Sequence, residues 1–317
     1  MKKLNLVTFL VTLMLAGFSL AQDTRTVTDD LGRSVDIPAV PTAIASLDDL
    51  RLTLPLIELG APLVASHGRT TSDGDIYIRS AEVLTGANFD NTGITFLGNS
   101  PLDVEALAAA QPDLIVTLVS RDSPLEQLEA IAPTVVFDED VTDRFAIYGR
   151  LAELTGTESQ LAVLEARYQA QLTQLIRLVD TSAITISVME GSDGAIAIEH
   201  TYGSLGRVLR DAGFGLPDLI NGLEPGGGQE VSAEFLPQLD ADIIFDTYRG
   251  DRNETPADAH ARMMEVLASY CDVLTACSGG RYYRIPRDEA KAISFNALAT
   301  MTTMLQTILS APEPVGQ

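Results

Sequence analysis

The 317-residue chain carries 44 acidic residues against 21 basic ones, a formal charge of −23, and 46% of it is hydrophobic. That length suffices for two ordinary domains with sizeable cores. The charge sets the chain against nucleic acid and anionic lipid headgroups as partners.

Lys2 and Lys3 precede an apolar stretch from Leu4 to Leu15, too short to span a bilayer comfortably, and Ser19-Leu20-Ala21 offers small residues where a signal peptidase would cut. Residues 1–21 read as a cleaved export signal. Its removal leaves 19 basic residues (21 less Lys2 and Lys3) against 44 acidic, a charge of −25. No Cys lies near the cleavage point, so a lipid anchor is not expected there, and no later stretch has the length and apolarity of a membrane span.

From residue 44 to 137, short β-rich runs alternate with amphipathic helices. Strands are expected at Ile44 to Ser46, Leu63 to Ser66, Leu114 to Val119 and Thr134 to Phe137. Helices are expected at Leu50 to Leu59, closed by Gly60, and at Asp103 to Ala110. Ser123-Pro124-Leu125-Glu126 reads as a capping box with Pro at the first helical position. Strands that are apolar throughout, alternating with helices, indicate a parallel α/β sheet. From about Asp143 to Val179 there is no Pro, and Leu151, Leu154, Leu161, Leu164, Tyr168, Leu172 and Leu175 recur at helical spacings. A long amphipathic helical region is expected, with Gly156 a candidate break. Ala183 to Val188 restarts the strand–helix alternation, which runs to about Leu309.

Residues 103–116 (DVEALAAAQPDLIV) and 232–245 (SAEFLPQLDADIIF) align without a gap. Glu105 matches Glu234, Asp113 matches Asp242, and Asp103 and Ser232 stand at the two helix caps. The expected architecture is α/β: two similar α/β lobes with parallel sheets joined by a single long helix. The expected segments are the export signal 1–21, a lobe over 22–142, a linking helical region over 143–180 and a second lobe over 181–317. Helix N-termini and strand C-termini share one edge of a parallel sheet. The two glutamates and the loops after the repeat strands, Ser120-Arg121 and Tyr248-Arg249, therefore belong to that edge, where open α/β folds bind ligands.

The sequence resembles the periplasmic substrate-binding proteins for ferric siderophores and cobalamin. The resemblance runs through Val27 to Ser46 (VTDDLGRSVDIPAVPTAIAS), Pro101 to Val116, Thr201 to Phe214 (TYGSLGRVLRDAGF) and Val231 to Phe245, and covers nearly the whole chain after the signal. It implies two lobes on one rather rigid helix, a shallow cleft with limited closure, and delivery of a ferric siderophore to an inner-membrane ABC permease by a soluble periplasmic monomer without a cofactor. It also implies that Glu105 and Glu234 dock on basic residues of the permease; from the residues alone both are ordinary first-turn helix glutamates, each contributing about 0.3–1 kcal/mol. Cobalamin, haem or a bare transition metal are the alternative cargoes.

Arginine suits an anionic, oxygen-rich chelate because its planar fork donates several hydrogen bonds and stacks on flat surfaces. Arg69, Arg79, Arg121, Arg249 and Arg252, with Tyr202 and Tyr248 for aromatic surface, are the expected ligand-binding residues. Direct metal ligation would draw on His67, His200 and His260, of which His260 reads as exposed; no metal site is expected. The loop Glu224 to Gln229 has the flexibility to cover a ligand but reads as a plain connection. Cys271 and Cys277 can close a small loop in an oxidising compartment, and a disulfide is expected over free thiols. The segment Tyr270 to Ala290 resembles a family segment with paired cysteines, in support of that bridge. No G-x-S-x-G, H-E-x-x-H or Walker motif is present, so no catalytic residues are assigned. A periplasmic siderophore hydrolase is the rival from another class.

Overall fold

The structure, a computed structural model, describes residues 23–121, 124–138 and 143–310. The export signal and Ser123 lie outside the described residues. In the first lobe, the strands Ile44–Ser46, Leu63–Ser66, Thr95–Phe96, Leu114–Leu118 and Thr134–Phe137 form one parallel sheet. Its spatial order is 95–96, 63–66, 44–46, 114–118, 134–137. Every residue of Leu114–Leu118 is buried, as a strand covered on both faces requires. A hairpin, Thr24–Thr28 with Ser34–Pro38, precedes the sheet, and a second, Arg69–Thr70 with Ile76–Tyr77, follows the strand 63–66.

The helix expected over Leu50 to Leu59 is two elements. Asp48 caps a wide π-type turn over Asp49–Thr53 by accepting from the Leu50 and Arg51 N–H groups, and an α-helix continues over Leu54–Glu58. Pro55 in its first turn lacks an N–H, so an uninterrupted α-helical ladder is not available there. Pro124 stands at the cap of the helix Leu125–Glu129 rather than at its first position.

The linking region holds the helices Ala146–Thr155 and Glu158–Leu178, separated by Gly156 at φ +72°, a left-handed cap that glycine adopts freely. Leu164, Tyr168, Leu172 and Leu175 are the buried stripe of the long helix.

The second lobe has a parallel sheet, Ile186–Val188, Ile243–Tyr248 and Tyr282–Pro286, with 243–248 in the middle. It also carries an antiparallel sheet, Glu190–Ser192, Ala195–Glu199 and Gly228–Val231, which the strand–helix alternation did not reveal. The repeat is genuine in three dimensions. Leu114 pairs in parallel with Ile44, and Ile243 with Ile186. Asp113 accepts from the Thr42 N–H and hydroxyl, both at 2.7 Å; Asp242 accepts from the Thr185 N–H and hydroxyl at 2.7 and 2.8 Å. The copies differ in their helices. Val104–Ala109 is an α-helix capped by the Asp103 side chain. Ala233–Gln238 is a 3₁₀ turn containing Pro237, and Ser232 makes no cap bond.

The lobes share one apolar core. Ile44, Leu114, Tyr148, Leu164, Ile186, Phe245 and Leu298 belong to a single cluster running from the first sheet through the long helix to the second. Glu58 joins the same regions by polar contacts. Its buried carboxylate accepts from the Tyr148 hydroxyl, from the Ser294 hydroxyl at 2.7 Å, and from the N–H groups of Phe295 and Asn296 at 2.9 Å. Those N–H groups begin the last helix, Phe295–Ser310, which packs on the long helix.

Candidate ligand-binding site

A cavity of about 550 Å³ opens between the carboxyl edges of the two parallel sheets. Arg69, Tyr77 and Arg79 line it from the first lobe; Arg249, Asp251, Arg252 and Arg287 line it from the second. The chain after residue 3 has 18 arginines and one lysine, and five of those arginines line this one space.

Each side holds its arginines with carboxylates. Asp49, fully buried just after the strand 44–46, takes two bonds from Arg79: Nε to Oδ2 at 2.8 Å and Nη2 to Oδ1 at 2.6 Å. Arg69 Nε lies 3.5 Å from the same Oδ2. Burial alone would raise the Asp49 pKa, but the Arg79 hydrogen bonds and the Arg79 and Arg69 charges outweigh it and hold the carboxyl below its ordinary range. In the second lobe, Arg249 follows the strand 243–248 and forks onto Asp251, with Nε 3.2 Å from Oδ1 and Nη2 2.9 Å from Oδ2. Arg287 follows the strand 282–286, with Nε 3.3 Å from Glu190. Arg252 is exposed and forms no ion pair with a described carboxylate.

Three expected residues stand outside this lining. Arg121 reaches across the first sheet to Asp48, at 2.5 Å, and to Asn99, at 3.0 Å, so it belongs to the same rim but is spent within it. Tyr202 is 4% exposed and presents no surface to the cavity. Its hydroxyl bonds Thr247 at 2.7 Å and Glu190 at 3.1 Å, and Lys291, itself paired with Glu199, sits over its ring, so it supports Arg287 through Glu190 from beneath. Tyr248 ends its strand half-buried, off the lining. The loop at Glu224 does not cover this space: it becomes strand at Gly228, and Arg144 donates to the Gly226 carbonyl at 3.4 Å beside a separate, smaller cavity.

The histidines are apart. His67 is buried under the first rim, and burial, reinforced by the Arg121 charge, pushes its pKa down to about 4, so it is neutral. His200 contacts the Thr201 hydroxyl, and His260 the Tyr270 hydroxyl. Among the described residues, no group of three or more His, Cys, Asp or Glu is placed to hold a metal ion. Glu105 and Glu234 are both exposed in the first turns of their elements. Cys271 and Cys277 form a disulfide.

Sequence reasoning passed over Asp49, Tyr77, Asp251 and Arg287. Arg287 directly follows a strand, the rule that selected Arg249, and Asp48-Asp49 directly follow Ser46-Leu47; the signal was present for both. Asp251 and Tyr77 depend on a turn and a hairpin that left no periodic mark.

Two α/β lobes on a shared helical spine, with a charged cavity between their strand ends, define a solute-binding protein. The chain belongs to the periplasmic binding protein family, whose model matches residues 79–263, more than half of the chain. It is 28% identical over 270 residues, 78% of this chain and 82% of the relative, to the ferric enterobactin-binding periplasmic protein FepB of Escherichia coli O6:H1. The ferric-anguibactin-binding protein FatB of Vibrio anguillarum is 24% identical over 153 residues, 45% of this chain and 47% of the relative. Its fold is that of a Bacillus subtilis periplasmic binding protein component of a Fep/Fec-like ferrichrome ABC transporter: TM-score 0.73 and 19% identity over 90% of this chain and 100% of that one. Staphylococcus aureus SirA, solved with staphyloferrin B, superposes with a TM-score of 0.70 and 19% identity over 92% of this chain and all of that one. No helix among the described residues is long and apolar enough to cross a membrane.

Proposed function

We propose that this protein is the periplasmic solute-binding component of an ABC importer and that it carries a multiply anionic ferric siderophore in the inter-lobe cavity. The observation that carries the reading is the convergence of five arginines from both lobes in a chain of net charge −23. A patch this basic in an acidic molecule attracts anions locally while the rest of the surface repels them. The named ligands of FepB and FatB, both ferric siderophores, favour the same cargo. In this reading residues 1–21 direct export, 22–142 and 181–317 are the lobes, 143–180 links them, and the ligand leaves the monomeric protein chemically unchanged on the permease.

Tyrosine fluorescence, free of tryptophan, reports a titration with a ferric tris-catecholate, ferric citrate, a neutral ferric hydroxamate, cobalamin and haem. The ferric polyanions should bind tightest. Arg79→Ala and Arg249→Ala should each weaken them by about 1.5–3 kcal/mol, the scale of a charged hydrogen bond. Equal affinity for the neutral chelate, or unchanged dissociation constants in both variants, removes the arginines from the site. Recovery of a hydrolysed ligand after incubation would transfer the protein to the hydrolases.

A further inference from the structure

Among the described residues, seven charged or phenolic side chains line the cavity, and Asp251 is the one carboxylate. Its side chain is only 9% exposed, and both of its oxygens are engaged by Arg249 in the fork an anionic ligand would use. It is fixed there by its backbone. The turn Gly250–Arg252 is closed by Asn253 at φ +59°, and the Asp251 N–H donates to Asp288 Oδ2 at 3.1 Å. Across the cavity stand Arg79 and Tyr77 of the other lobe. The Asp251 charge helps to raise the pKa of both groups, so it acts across the gap between the lobes.

We propose that Asp251 is an internal competitor for the ligand, a specificity-determining residue that occupies Arg249 with a protein carboxylate and so lowers the affinity of anionic chelates relative to a neutral one. The inference rests on the anionic reading of the cavity given above. Its physics is Coulombic: one fixed negative charge repels a trianion three times as strongly as a monoanion and a neutral chelate hardly at all. A polyanion still gains, because it meets several arginines at once. A monoanion exchanges one carboxylate for another. Asp49, with both its oxygens behind Arg79, has no such role, since it does not line the cavity.

A merely structural Asp251, one that aims Arg249 at the ligand, predicts the opposite sign, and this makes the test decisive. Ferric tris-catecholate, net charge −3, and a neutral ferric trihydroxamate are titrated by isothermal calorimetry into the wild-type protein and into Asp251→Asn and Asp251→Ala. Neutralising the carboxylate should tighten the trianion about tenfold or more, which corresponds to about 1.4 kcal/mol, and leave the neutral chelate within about twofold. A trianion affinity that falls or stays constant in the variants overturns the inference. If neither variant folds, carbon-13 NMR of wild-type protein replaces them. The Asp251 carboxylate resonance should shift on saturation with gallium tris-catecholate and stay in place with the neutral gallium trihydroxamate; a resonance unmoved by both overturns it. Failure of wild-type protein to bind either chelate instead defeats the functional reading, a result separate from any change in the variants.

Discussion

Two buried aspartates show how placement decides the charge of a single carboxyl. Asp49 and Asp246 are both fully buried, and burial pushes each pKa upward. Asp49 is overruled by direct bonds from Arg79 and ends below its ordinary value. Asp246 receives the Tyr282 hydroxyl at 3.1 Å and a weaker contribution from the Thr247 N–H, with Arg284 and Arg262 acting as charges at a distance, and burial pushes it up to about 7. The linkage signs are opposite. Asp49, depressed, stabilises the fold above the unfolded pKa of about 4 and loses that contribution as acid protonates it. Asp246, raised, is favourable below about pH 4, and its contribution falls as pH rises to about 7. Asp246→Asn should therefore gain about 2–4 kcal/mol over wild type at pH 8 and almost nothing at pH 4, and Asp49→Asn should lose about 3–5 kcal/mol at pH 7 by stranding Arg79. Urea denaturation at the stated pH values measures both, and a difference between Asp246→Asn and wild type that is the same at pH 4 and pH 8 would refute the assignment.

At the scale of elements, the disulfide matters through what it borders. Cys271 follows Tyr270, which is 1% exposed, accepts from Arg284 and is hydrogen-bonded to His260, and the loop returns to the edge strand 282–286 through the Arg281 N–H and Ala276 carbonyl. That strand delivers Arg287 to the cavity. Closing so short a loop should contribute about 2 kcal/mol. A Cys271→Ala/Cys277→Ala protein should lose that much stability and bind the ferric polyanion less tightly; full stability in the variant would show that the bridge is idle. Four strands of the first sheet were legible as short apolar runs, Leu114–Leu118 being the clearest, and the helix stripe from Leu151 to Leu175 followed from its spacing. The short elements were not. Ala233–Gln238 looks α-helical by analogy with its repeat partner, yet Pro237 shifts it to 3₁₀, and the hairpin 69–77 carries only two paired residues per strand. The candidate site was half legible for the same reason: arginines after strands announce themselves, whereas Asp251 and Tyr77 are placed by a turn and a hairpin.

At the scale of the molecule, Glu105 and Glu234 sit on equivalent repeats and are exposed at the openings of their elements. A partner carrying basic residues on both subunits of a permease dimer would match that pair. Glu105→Ala/Glu234→Ala should abolish uptake of the ferric chelate by cells while leaving its binding in solution unchanged; lost binding would mean that the glutamates serve the cavity instead.

The junction at Glu58 has a mechanical meaning for such a carrier. One carboxylate pins the heel of the first lobe to the start of the last helix and to Tyr148, inside a core with no seam between the halves. For the carrier proposed above, jaws joined at the root by so continuous a core are expected to swing little, which would leave cargo to a shape already in place and discharge to a transporter that prises the tips apart.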